Sequence, residues 1–191
     1  MRQVVRIVTV AALLAFGSSA AHAQGVGFSL YGFGGGYGAM KDLTAASVST
    51  VNFKAGWNVG AGLGLSFTRF LGVRGDVALA KSQRAGSGTN TDWQKIFTGA
   101  DLVLTLPLGP LSPYAFGGGG VVTLDEKDTT TPLSSRRAGR AGLGVNVGSG
   151  KLGVFGQATG WFYKWDVTKF PTFTEQQFDM LYSLGVSYKM R

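Results

Sequence analysis

The stretch from Gly56 to Leu79, GWNVGAGLGLSFTRFLGVRGDVAL, leaves this chain little choice of backbone. From Trp57 every second residue is apolar: Trp57, Val59, Ala61, Leu63, Leu65, Phe67. Between them lie Asn58, Gly60, Gly62, Gly64 and Ser66, all small or polar. After a few residues of turn the alternation resumes with Leu71, Val73, Gly75, Val77 and Leu79, opposite Gly72, Arg74, Asp76 and Ala78. A period of two over two linked runs of about ten residues specifies two β-strands. Two environments accept such a pair. In a soluble barrel or sandwich the apolar face turns into a core. In a membrane barrel it meets lipid, and Arg74 and Asp76 meet in the lumen.

The same pattern recurs along the chain. It predicts strands at about Val26–Gly38, Phe53–Phe67, Phe70–Ala80, Trp93–Leu106, Pro113–Leu124, Ala138–Val147, Lys151–Lys164 and Phe178–Met190. Connections near 68, 109 and 149 are short; those near 45, 86, 130 and 170 are long and polar. Even strand number with alternating short turns and long loops is the outer-membrane arrangement, so the expected fold is all-β, an eight-stranded antiparallel transmembrane β-barrel. A lipocalin-like barrel also has eight strands but needs an apolar interior. Here the less apolar face carries glycine with Arg74, Asp76, Lys95, Asp101 and Gln157, groups suited to a hydrated or ion-paired lumen. Aromatics support lipid: Phe28, Phe67, Phe70, Tyr114 and Tyr188 fall near the short turns, and Trp57, Trp93, Phe162, Trp165 and Phe178 near the long loops, as two interfacial belts would place them.

The N-terminus reads as a secretory leader. Arg2 and Arg6 precede an apolar run from Ile7 to Gly17, and Ala21-His22-Ala23 is a small-x-small cleavage site before Gln24. Residues 1–23 are therefore expected to be removed, leaving 24–191 as one barrel domain. Nothing after the leader is a long uninterrupted apolar segment, so any membrane crossing must use strands. Two of the cations behind the +8 formal charge lie in the leader, and the rest are scattered, which argues against nucleic acid. The 31 glycines follow no collagen period; they sit within alternating segments, where they relieve crowding inside a narrow barrel.

Composition excludes most enzyme classes. There is no cysteine, and the single histidine, His22, lies in the leader. Serine–histidine, cysteine–histidine and histidine–metal chemistry all fail on that ground. The run Gly117–Gly120 lacks a phosphate-binding ending, and Asp125, Glu126 and Asp128 read as a solvated loop. No catalytic, cofactor or metal residues are assigned. The remaining candidates are two. Arg74, Asp76, Lys95, Asp101 and Gln157 form a candidate lumen charge network, read as a plug of salt bridges or, alternatively, as a narrow porin-like path for ions or small solutes. Arg136 and Arg137 are candidate contacts for a surface partner or for phosphorylated lipid headgroups, and the long loops, including Lys81–Asp92 and Asp125–Arg137, are candidate sites for a surface ligand.

LGVRGDVAL at Leu71–Leu79, SPYAFGGGG at Ser112–Gly120 and SLGVSYKM at Ser183–Met190, in this order and spacing, make the chain resemble the small outer-membrane β-barrel domain family. That family includes opacity-type surface proteins and the membrane domain of outer membrane protein A. The resemblance covers about residues 25–191. It implies a barrel in the outer membrane of a Gram-negative bacterium, inserted by the outer-membrane assembly machinery and surrounded by outer-membrane lipids including lipopolysaccharide. Members of the family serve in envelope integrity, adhesion or limited transport, so the resemblance leaves two expectations, a structural or surface-interaction role in the cell envelope and a small porin-like channel. Arg74 and Asp76 match the family's charged pair, and Tyr114 its proline-tyrosine strand opening. Gln157 stands where many relatives carry an acid. Family barrels usually end on an aromatic; this chain ends Tyr188-Lys189-Met190-Arg191, with Tyr188 or Met190 as the substitute.

Overall fold

The computed structural model describes residues 26–40, 52–85, 91–126, 134–164 and 176–190. The expected leader, and with it the cleavage site, lies outside the described residues, as do Trp165 and Asp128. Eight long strands form: β1 (Gly27–Ala39), β2 (Gly56–Ser66), β3 (Leu71–Ala85), β4 (Thr91–Thr105), β5 (Leu111–Glu126), β6 (Ser134–Ser149), β7 (Leu152–Lys164) and β8 (Gln176–Met190). A two-residue segment, Asn52–Phe53, pairs with the upper end of β3. Each long strand pairs antiparallel with its chain neighbours, and β1 pairs with β8, so the sheet closes on itself. The fold is an eight-stranded antiparallel β-barrel.

Register fixes its dimensions. Partners followed once around from Ser29 run through Gly64, Arg74, Asp101, Gly118, Arg140, Trp161 and Asp179 to Ala39, ten residues further along β1. With strands about 4.8 Å apart and about 3.3 Å per residue, that shear gives a tilt of about 40° and a backbone radius of about 8 Å. Phe178 to Tyr188 on the outer face of β8 then covers about 25 Å of depth, the height of an outer-membrane apolar band.

The faces divide by parity. Leu143, Leu152 and Leu184 stand about 70% exposed on the outside, while Phe97 and Val122 are fully buried within. Phe116, Val122 and Leu124 on β5 share the inward face, while Ala115, Gly117, Gly119 and Val121 lie outside. Two members of the expected aromatic belts are corrected. Trp93 is buried inside, and Tyr114 points inward to bond Gln157. Both have the parity of buried neighbours, Lys95 and Phe116, and sequence height alone does not distinguish the faces. Phe67, Phe70, Tyr188, Trp57 and Phe162 do stand exposed outside, and Phe178 stacks on Phe162.

The short connections are tight. Thr68 Oγ1 accepts hydrogen bonds from the amides of Phe70 and Leu71. Gly109 and Gly150 have φ of 71° and 79°, a conformation that favours glycine. The long-loop side differs from the sequence expectation. Lys81–Ala85, Thr91–Asp92, Asp125–Glu126 and Ser134–Arg137 are strand, although their polarity reads as loop. The ladder continues past the apolar band, where water bathes the sheet and alternation no longer marks a strand. Gln83 Nε2 to Asp92 Oδ1 at 3.2 Å and Thr123 Oγ1 to Ser135 Oγ at 3.0 Å are side-chain links across this polar extension.

Candidate functional site

The lumen holds two charged clusters with an apolar layer between them. The lower cluster grows from one register row. Arg74 and Asp101 are direct partners on β3 and β4, and Asp101 is followed by Gly118 and then Arg140 on β6. Asp76 lies two residues above Arg74, opposite Gly99. Gly99 leaves space for Arg140, and Gly118 for Asp101. A Cβ on Gly99 would sit 2.8 Å from Arg140 Nη1, and one on Gly118 would sit 2.8 Å from Asp101 Oδ1.

Arg140 uses that space fully. Its Nη1 and Nη2 donate to Asp76 Oδ1 and Oδ2 at 2.6 and 2.7 Å, a bidentate pair. Its Nε and Nη2 also donate to Asp101. Arg74 Nε donates to Asp101 Oδ2 at 3.0 Å, and Arg74 Nη1 to Gln157 Oε1 at 2.8 Å. Tyr31 donates to Asp76 Oδ2 at 3.1 Å and Tyr114 to Gln157 Oε1 at 3.1 Å. Arg74 lies 3.6 Å from the centre of the Phe116 ring, and Arg140 4.8 Å from that of Trp161. Two guanidinium cations thus face two carboxylates, which is the condition under which buried charge is tolerable.

The upper cluster centres on Lys95. Its Nζ donates to Asp179 Oδ2 at 2.8 Å and to the hydroxyls of Tyr37 and Tyr163 at 2.6 and 3.1 Å. Both hydroxyls donate onward to Asp179, at 3.0 and 2.7 Å. Lys95 and Asp179 are 2% and 0% exposed, so the cluster is closed off from water. Between the clusters Phe97 packs against Trp161 at 5.1 Å between ring centres, with Phe33, Val122 and Leu181 buried in the same core. A void of about 10 Å³ beside Arg140 has room for at most a single water.

Of the residues singled out in the sequence, Arg74, Asp76, Asp101 and Gln157 meet in the lower cluster, while Lys95 belongs to the upper one. Two central groups escaped sequence reasoning. Arg140 sits beside Arg136 and Arg137 in the chain, yet alternates with the lipid-facing Ala141 and Leu143; its parity was the available signal. Asp179, between Phe178 and Met180 on an otherwise regular strand, carried the same signal. The Arg136–Arg137 pair is split by the fold. Arg136 is opposite the inward Val122 and half-buried on the lumen side, which withdraws it from the outer surface. Arg137, opposite the outward Val121, is exposed. Among the described residues no group of three or more His, Cys, Asp or Glu is placed to hold a metal.

The sequence profile described as the outer membrane protein beta-barrel domain matches residues 9–191. The chain belongs to this family. It is an outer-membrane protein that crosses the bilayer with its strands. Among solved structures, this outer-membrane barrel domain is similar to neisserial surface protein A, with a TM-score of 0.65 and 16% identity over 87% of this chain and 100% of that one. OprG from Pseudomonas aeruginosa gives 0.58 at 14% identity, covering 89% and 98%. A major outer membrane protein from Thermus thermophilus gives 0.58 at 13%, covering 87% and 100%. At such identities the likeness is one of fold. No curated protein sequence matches the chain.

Proposed function

We propose that this barrel is a closed structural and surface-interaction protein of the cell envelope, non-catalytic, with kinship to the opacity-type proteins and the membrane domain of outer membrane protein A. The observation that carries the reading is Arg140. It ties β6 to Asp76 and Asp101 on β3 and β4 across the lumen, under a layer in which Phe97 and Trp161 are 0% and 1% exposed. A backbone radius of about 8 Å leaves room for side chains or one small ligand, and side chains occupy it. The long-loop side, where the polar strand extensions rise past the apolar band, is then the part free to meet partners.

The partners proposed are outer-membrane lipids including lipopolysaccharide, through Arg137, and the outer-membrane assembly machinery. The leader is proposed to be cut after Ala23, so N-terminal sequencing of protein from the outer membrane should begin at Gln24. Single-channel recording of refolded protein tests the main reading. Silence is expected. Reproducible conductance that changes when Arg74 or Asp101 is replaced would transfer the assignment to a narrow porin-like channel.

A further inference from the structure

The outer wall over β5, β6 and β7 is hollow. A single register row, Leu104, Ala115, Leu143, Ala158 and Tyr182, crosses it with alternating large and small side chains. Around this row lies an open apolar trough of about 760 Å³, floored by Ala115, Gly156 and Ala158. From the trough toward the long loops, the outward side chains of β6 are Ala141, Gly139 and then Arg137. Nothing larger than a methyl group stands between trough and cation on that strand. On the adjacent strand the exposed Lys164 lies one register step beyond the pair Ala138–Tyr163, beside Arg137. Below Lys164, Phe162 stacks on Phe178 at 4.5 Å and borders the same path.

Depth matches the shape. Arg137 and Leu143 are six residues apart, about 20 Å along the strand and about 15 Å along the membrane normal at the barrel's tilt. That is about half the thickness of a bilayer's hydrocarbon core. The cations therefore stand at the headgroup level of the outer leaflet and the upper rim of the trough, at Leu143 and Ala158, at the level of its acyl-chain ends, while the trough itself descends past Leu104 and Pro113 to Phe70 on the short-turn side. We infer that this wall seats one phosphorylated, acylated lipid of the outer leaflet, its phosphate at Arg137 beside Lys164 and one acyl chain laid past Gly139 and Ala141 into the trough. The inference rests on the lipid reading of Arg137 given above and adds the site for the chain. Charge complementarity selects lipid over a second copy of the protein. Two barrels inserted in the same direction would bring the same cationic rim to the same height, so like charges would meet.

The test uses the refolded mature chain in detergent micelles, with lipid retention read by native mass spectrometry. The probes are bisphosphorylated lipid A, its dephosphorylated form and inorganic phosphate. The variants are Arg137→Gln and the trough-filling pair Ala115→Leu/Ala158→Leu, with Ala61→Leu on the outer face of β2 as the control. Heat-shifted electrophoretic mobility verifies that each is folded. Lipid A should bind wild type and the control alike. Removing the Arg137 charge should weaken retention about fivefold, the contribution of one basic group at a lipid surface, and removing the phosphates, which takes away the contacts of both Arg137 and Lys164, about twenty-fivefold. Filling the trough should weaken it about threefold through lost packing contacts. A loss with Arg137→Gln but none with the leucine pair would overturn the trough while leaving the headgroup contact. No loss with either would overturn both. Dimers that vanish in the leucine pair would give the trough to a second copy, and inorganic phosphate that binds as well as lipid A would reduce the site to an anion contact.

Discussion

Replacing Arg140 by alanine tests whether the lumen network holds the barrel together. Arg140 is 4% exposed and neutralises both Asp76 and Asp101. After its removal Asp101 keeps Arg74 Nε at 3.0 Å, whereas Asp76 keeps only the Tyr31 hydroxyl at 3.1 Å. One buried carboxylate is therefore left without a cation, and breaking a buried pair in this way costs about 3–5 kcal/mol. Asp76→Asn combined with Arg140→Gln removes one charge of each sign and leaves Arg74 facing Asp101. That double variant should lie within about 2 kcal/mol of wild type, so the two sites couple strongly and with opposite sign to simple addition. The assay is reversible urea unfolding in lipid vesicles, followed by tryptophan fluorescence. Trp161, with its ring 4.8 Å from the Arg140 guanidinium, reports on the site itself. If Arg140→Ala shifts the unfolding free energy by less than about 1 kcal/mol, or if the double variant is as unstable as the single one, the network is not a source of stability.

Four further outcomes follow from the same structure. Gly99→Val drives a side chain into Arg140 and Trp161, whose nearest atoms lie 2.8 and 2.9 Å from the added Cβ, and should cost about 1–3 kcal/mol in the same unfolding assay. Gly75→Ala, on the outer face with its nearest contact at 3.6 Å, should be nearly neutral. Lys95→Met leaves Asp179 buried without its cation and should destabilise by about 3–5 kcal/mol, with Asp179→Asn added to it restoring much of the loss. Leu184→Arg, near the middle of the lipid-facing band, should cost about 2–4 kcal/mol and Tyr188→Arg, at its lower edge, about 0–1; equal costs at the two depths would refute the orientation of the wall in the bilayer.

What the sequence made legible is what parity alone decides. On β8 the alternation Phe178, Met180, Tyr182, Leu184, Val186 and Tyr188 fixes which face meets lipid, and on β3 it sets Arg74 and Asp76 inside. Parity breaks down as a guide where both faces are wet, which is why the strand ends at Lys81–Ala85 and Ser134–Arg137 read as loop. It is also easily overruled by neighbours in the chain. Arg140 closely follows Arg136 and Arg137 in the chain, yet it points the opposite way from Arg137. Partner choice lies a level further off. Lys95 and Asp179 are 84 positions apart, and their meeting depends on the shear, a property of the closed ring that no single strand carries. The hollow on the outer wall is of the same kind. Ala115 and Ala158 are ordinary small residues until register sets them on either side of Leu143.

The seam between β1 and β8, where Phe28 faces Met190, has a consequence for biogenesis. Until it zips, each of these strands presents a rim of amides with nothing to bond, and hydrocarbon offers no substitute. Insertion and folding are for this reason one event. The oppositely charged groups that finally meet on the axis must travel there still hydrated, and they shed water only as the ring shuts. A chain stripped of its last strand is thus not most of a barrel but a sheet with two raw edges, without a stable place in the bilayer.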